Sequence, residues 1–213
     1  MRYVLYLNLW GTSAKLLGDQ SLTGSSTEAE STLFSSKDLV PCQTHFQRTV
    51  TQIADGRELQ AFACVDYAYV FSTNLDELVS YASEVFQAMI FPSGRPVIWP
   101  LRGAIAEGLV ANQDMLIPWM GPGLTKAAEL EKSAQKGMRL LCERGLGPSL
   151  RSRSFAVRGH EHVEVDWLSH RGYLTDERRA RLQRVIEDLM EIGTNYSQQL
   201  GASLSGFIKW SGD

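Results

Sequence analysis

Cysteine is scarce: Cys42, Cys64 and Cys142 are the only three in 213 residues. An odd number at unrelated spacings gives neither a disulfide framework nor a zinc knuckle, and it suits a reducing cytoplasm. Basic charge is not in excess. With 21 Lys and Arg against 24 Asp and Glu the formal net charge is -3, so no positive field is available for non-specific nucleic-acid binding. Residues 3–10 are apolar but far too short to span a bilayer, and a signal peptide needs a longer apolar core with a small-residue cleavage site. There is no internal repeat and no long low-complexity tract. What is present is the composition of a soluble globular chain, 44% apolar and 21% charged, long enough for one domain with its own core or one with an appended subdomain.

The apolar pattern alternates between strand and helix periods. Residues 3–10 read as a buried strand that runs through Asn8 towards Gly11, Thr12 and Ser13. Residues 18–36 are rich in Ser, Thr and Gly and read as a loop or lid. A helix is expected over 38–54, starting after Pro41. Asp55-Gly56 is a pair that tight turns between strands favour, and two strand-like runs surround Asp66. The clearest helix carries Leu75, Leu78, Val79, Ala82, Val85, Phe86, Met89 and Ile90 on one face, with Asn74 or Thr73 as its cap. VIWPLRGAIAEG reads as a strand, GPGLTKAAELEKSAQ as a helix and MRLLCE as a short strand. Residues 155–168 give one or two strands. Asp176 is expected to cap a helix striped by Leu182, Val185, Ile186, Leu189 and Met190, and the tail SGFIKWSGD reads as extended. The order predicts an α+β fold with a ferredoxin-like βαββαβ core. One domain over 1–213 is expected, its core over 1–145 and a C-terminal strand and helix extension over 146–213.

Four stretches, in order, resemble the class III nucleotidyl cyclase catalytic domain: LYLNLWGTSA, FACVDYAYVFS, LRGAIAEG and GPGLTKAAELE. The Arg-Gly-Ala-Ile-Ala run, the ELE ending and the tail VEVDWL…FIKW look most like the bacterial branch that includes the Pycsar antiphage pyrimidine cyclases. The resemblance implies a nucleoside triphosphate substrate and two divalent cations, Mn2+ or Mg2+, clamped by two carboxylates on adjacent strands. The ribose 3′-hydroxyl then attacks the α-phosphorus and pyrophosphate leaves. It also implies a head-to-tail homodimer with a site at each end of the interface. The product would act on a separate effector that the cyclic nucleotide activates, with no membrane or nucleic acid involved.

By that resemblance Asp66 is the second metal carboxylate, its alternative being a hairpin aspartate that makes only turn hydrogen bonds, and Asn8 stands where the first metal aspartate belongs, with the carbonyl of Leu9 as a further ligand. An amide oxygen can ligate Mg2+ or Mn2+ but brings no charge. Either Asn8 ligates weakly and Asp66 carries the metals, or the site is degenerate, or the asparagine was introduced to trap a nucleotide. Gly11, Thr12 and Ser13 match the phosphate-cradling turn, and equally a capped strand-to-helix turn. Purine cyclases carry polar base-reading groups where this chain has Phe62 and Pro118, which fits a pyrimidine substrate or a lost activity. Phe62 either stacks on a base or belongs to the strand core. Thr125 and Glu129 replace the family's asparagine and arginine on the catalytic helix, and a glutamate cannot stabilise developing phosphate charge. Lys126 or Arg102 is then the candidate positive charge, with Arg102 alternatively paired to Glu107 or Glu131. HEHVEVD sets His160, His162, Glu164 and Asp166 on one side of a strand, either a metal site or one partly exposed face. ERRARLQR reads as a solvated helix face.

Overall fold

A computed structural model describes residues 2–9, 39–90, 98–110, 121–133, 137–156, 160–193 and 195–210. Gly11, Thr12, Ser13, Pro118 and the expected 18–36 loop lie outside them. In chain order the elements are β1 (Tyr3–Leu9), α1 (Leu39–Ala54), β2 (Gln60–Cys64), β3 (Tyr67–Ser72), α2 (Leu75–Ile90), β4 (Leu101–Glu107), α3 (Pro122–Ser133), β5 (Leu140–Glu143), β6 (Ser154–Ala156), β7 (His162–Val165), α4 (Asp176–Ile192) and α5 (Asn195–Trp210).

The strands form one sheet in the order β2-β3-β1-β4-β5-β7-β6. The first four are mutually antiparallel, which is the expected ferredoxin-like core, and α3 crosses over to make β5 parallel to β4. Strand β1 is apolar because it is central. Tyr3, Leu5, Leu7 and Leu9 face a core built with Phe46 and Val50 of α1, Phe86 of α2, Leu189 of α4 and Phe207 of α5. Residues one step along point the other way. There Val4 packs with Phe71, Ala106 and Ala127 under α3. Among the described residues the two faces are unequally covered: several helices line one, and α3 meets β1, β4 and β5 on the other.

Helix α2 follows its predicted stripe and buries more than the stripe, including Tyr81 and Gln87. Asn74 caps it, its Oδ1 accepting from the N–H groups of Asp76 and Glu77 at 3.0 and 3.3 Å. Several expectations are corrected. Helix α1 begins at Leu39, before Pro41, because a proline in the first turn costs no helical hydrogen bond. Asp55-Gly56 is not a hairpin turn: Gly56, at φ +72°, ends α1, and the β2–β3 hairpin turns at Val65-Asp66. Thr175, not Asp176, caps α4, accepting from the Arg178 N–H. Met190 leaves the α4 stripe and is 49% exposed. The tail is helical through Trp210, since its apolar residues Leu200, Leu204 and Phe207 recur at helical spacing and fill the core.

Candidate active site

Asn8 sits near the end of β1, opposite Tyr67 on β3 and Arg102 on β4. Directly opposed residues in an antiparallel pair share a face, so Tyr67, Asn8 and Arg102 form a row on the α3 side of the sheet. The hairpin turn closes against the strand end: the Leu9 N–H donates to the Asp66 carbonyl at 2.8 Å. The structure therefore brings Asn8, Leu9 and Asp66 together. Beside them, on the half of this face that α3 leaves uncovered, lie Tyr6, Tyr69 and Phe62. Tyr6 and Tyr69 rings are 5.0 Å apart, Phe62 is opposite Tyr69 in register, and Phe62 is 39% exposed. Burial pushes the Tyr6 hydroxyl well above its usual range, with Glu131, Tyr69 and Asp66 adding to the effect. The Tyr67 hydroxyl is raised chiefly by its hydrogen bond with Cys64. These phenols stay neutral and can only donate or accept hydrogen bonds. Tyr6, Tyr67 and Tyr69 were not among the site residues expected from the sequence, although the period-two spacing of Tyr6 with Asn8, and of Tyr67 with Tyr69, marks them as sharing this face.

Thr125 and Lys126 are not brought to that cluster. They lie in the first turn of α3, at the other end of the sheet. Lys126 Nζ is 2.5 Å from Glu143 Oε1 and 3.5 Å from the Glu107 carbonyl, and Glu107 pairs with Tyr3, the first residue of β1. Five residues of strand separate Arg102 from Glu107, about 17 Å at strand rise. Thr125, Lys126 and Glu129 are exposed. The Arg102 side chain turns into the interface between β4 and the last turn of α3. Its Nε is 2.8 Å from Glu131 Oε1, a contact too bent to count as a hydrogen bond, and its Nη2 donates to the Glu131 carbonyl. Burial raises the Glu131 carboxyl, opposed by Arg102 and then Lys132. Of the two partners weighed for Arg102, Glu131 is the one it meets; Glu107 is paired with Arg2 at 2.6 Å.

The HEHVEVD strand is neither of the things expected of it. His162, Glu164 and Asp166 are 4%, 1% and 2% exposed, because β7 lies inside the sheet between β5 and β6. Among the described residues no group of three or more His, Cys, Asp or Glu could hold a metal. Glu164 instead pairs with Arg139 at 2.5 Å. On α4, Arg178 and Arg184 are exposed, while Arg179 donates to the Ile208 carbonyl at 3.2 Å. No helix among the described residues is long and apolar enough to cross a membrane.

No family model matches the sequence, and a search of curated proteins returns no match. Solved structures do match. The chain is similar to an adenylate cyclase of Trypanosoma brucei studied in its monomeric state, with TM-score 0.55 and 11% identity over 82% of this chain and 91% of that one. It is similar to the guanylyl cyclase Cya2, with TM-score 0.53 and 10% identity over 82% and 95%. It also resembles the dimeric guanylyl cyclase domain of the RhoGC fusion protein of the fungus Blastocladiella emersonii, with TM-score 0.53 and 10% identity over 77% and 94%. At such identities the likeness establishes the fold: the chain has the class III adenylyl and guanylyl cyclase catalytic-domain fold.

Proposed function

We propose that the protein is a nucleotidyl cyclase that works as a head-to-tail homodimer. The observation that carries this reading is the separation along one sheet face. The cation-ligating candidates Asn8, Leu9 and Asp66 sit at one end, and Thr125 and Lys126 at the other, with an aromatic half-face beside them that α3 does not cover. One chain cannot close a site from groups about 17 Å apart along a strand. Two chains packed face to face and antiparallel bring the hairpin of one against the first turn of α3 of the other, twice. Exposed apolar residues suit those contacts: Val65 at the hairpin, 49% exposed, and Leu109, 79% exposed, ahead of α3.

The fold family implies two divalent cations. The donors present are one carboxylate, one amide and one carbonyl, which fit a single Mg2+ or Mn2+ that shares its shell with triphosphate oxygens. They do not fit two ions held by the chain alone. A bound cation supplies charge neutralisation and makes the ribose hydroxyl more acidic. Asp66 provides the only negative charge of the donor set, and Asn8 a neutral oxygen beside it. Phe62 stacks on the base, Thr125 of the other chain meets the ribose, and Lys126 of that chain offsets phosphate charge once it lets go of Glu143. Gly11, Thr12 and Ser13 carry the β- and γ-phosphates. The 3′-oxygen bonds to the α-phosphorus, its proton passes to water, and the bond to pyrophosphate breaks. Phe62 carries no group that reads a purine edge, so UTP is the favoured substrate, with cUMP before cCMP as product. By the resemblance, that product is an antiphage second messenger in the cytoplasm for a separate effector. Incubation with each of the four nucleoside triphosphates and Mn2+, followed by product chromatography, tests the reading. A folded dimer that makes no cyclic product from any of them refutes it.

Asn8 favours a second reading, a degenerate cyclase fold that binds nucleotide or only dimerises. The variant Asn8→Asp separates the two. Activity that appears only in the variant establishes a crippled wild-type site, whereas activity already present and little changed excludes the degenerate reading.

A further inference from the structure

Helix α3 is held to the sheet by little apolar surface. Its fully buried residues are Gly123, Ala127 and Glu131, four apart, and Leu124 packs partly buried beside Ala127 against the Val4 cluster. This apolar contact is confined to the amino half of α3 and does not by itself fix the pitch of the helix. At its amino end α3 rests backbone to backbone on the sheet: a Cβ on Gly108 would lie 2.5 Å from Gly123 Cα. At its carboxyl end the attachment is ionic. Glu131, 3% exposed, meets Arg102 both through its carboxylate and through its carbonyl. Arg102 is in turn the cross-strand neighbour of Asn8.

We propose that Arg102 and Glu131 are a positioning pair that sets the pitch of α3, and with it the exposed Thr125–Glu129 stripe that the partner chain's nucleotide meets. This rests on the cyclase reading above. Arg102 then serves the site to which its own α3 contributes, not the phosphates beside its own Asn8. A guanidinium presents its donors in a fixed fork. Here Nη2 donates to the Glu131 carbonyl while Nε lies 2.8 Å from the Glu131 carboxylate as an ion pair, and the side chain is only 13% exposed. The interaction also ties the two ends of the chemistry together within one chain, since Arg102 stands in the Asn8 row and Glu131 closes the helix that begins near Thr125.

Mixed dimers decide the matter. A chain carrying Asp66→Asn has a spoiled cation end and an intact α3; a chain carrying Arg102→Met has an intact cation end and a misplaced α3. Each alone is expected to turn over poorly. Mixed in equal amounts, half the dimers are heterodimers, and each holds one site made of two sound halves. Activity returns to about a quarter of wild type, with the wild-type KM. If Arg102 instead touches the nucleotide at its own cation end, that site lacks the guanidinium and the mixture stays inactive, which overturns the proposal. Glu131→Gln, the milder change, must behave like Arg102→Met and replaces it if the latter melts. Hydrogen exchange supplies a readout independent of turnover. In either variant the amides of 126–133 exchange faster while those of β1 and β3 stay protected. Unchanged exchange in α3 overturns the clamp even if the chain is a cyclase. A wild-type chain inactive with all four nucleotides overturns the cyclase reading, and the exchange result then decides the clamp alone.

Discussion

Replacing Gly108 by alanine puts the seating of α3 under direct test. The added Cβ would stand 2.5 Å from Gly123 Cα and 2.8 Å from Gly123 N. Both are backbone atoms, so no rotamer change relieves the contact. The start of α3 has to lift by about 1 Å to restore ordinary van der Waals separation. Gly123 is itself pressed against the sheet, where a Cβ would lie 2.9 Å from Val4 Cγ2, so the lift opens the small apolar cluster of Val4, Phe71, Ala106 and Ala127. Overpacking of this kind costs about 2–3 kcal/mol. For a chain of this size that lowers the melting midpoint by about 5–10 °C. Gly145→Ala is the control, because nothing lies within 4 Å of its added Cβ and the change only stiffens the unfolded chain. Thermal melts followed by circular dichroism compare the two with wild type. If Gly108→Ala melts within about 1 °C of wild type, or Gly145→Ala falls as far, the backbone contact does not seat the helix and the reasoning fails.

Burial lowers the imidazoles of His45, His162 and His170 below the ordinary value of 6.5. The unfolded chain therefore binds more protons in that window, so their contribution to stability is complete above pH 6.5 and is lost as pH falls through the folded values; denaturant melts of wild type and His162→Gln between neutral and mildly acid pH should show the shallower decline in the variant. Glu164→Gln leaves the Arg139 guanidinium, 20% exposed, without a charged partner and should cost about 2 kcal/mol in urea unfolding, more than the paired replacement Glu164→Leu with Arg139→Met. Phe62→Ala, at a 39% exposed position, should leave the melting point almost unmoved yet raise the KM for UTP roughly ten-fold through lost stacking; an unchanged KM removes Phe62 from the base site.

The elements with a strong apolar period were legible in the sequence. The α2 stripe from Leu75 to Ile90 and the βαββαβ order both emerge from spacing alone, because central strands and a helix buried nearly all round leave a dense signal. The end of the chain was not legible. SGFIKW is too short to display a helical period by itself, and only the contacts of Leu200, Leu204 and Phe207 with the core decide its state. HEHVEVD misled for a different reason. Polar residues at period two ordinarily mark a wet face, but β7 became an interior strand and Glu164 was matched by Arg139, twenty-five residues earlier. Charge compensation between distant strands leaves no local pattern to read.

The candidate site was half legible for the same reason. Asn8 and Asp66 were matched to each other through the order of the four landmarks, and strand pairing does bring Leu9 against Asp66. Thr125 and Lys126 were grouped with them through the resemblance, but α3 follows β4 and so starts at the carboxyl end of that strand, which the antiparallel pairing sets beside Tyr3 and not beside Leu9. A right-handed crossover from β4 to a parallel β5 obliges α3 to run back along the sheet, so its first turn lies beside Glu107 and its last beside Arg102. The residues that chemistry would group are thereby parted within each chain. If they do act together, it is the pairing of two chains, not the folding of one, that completes the site, and activity should then fall with dilution below the dimer dissociation constant while the fold of the single chain persists.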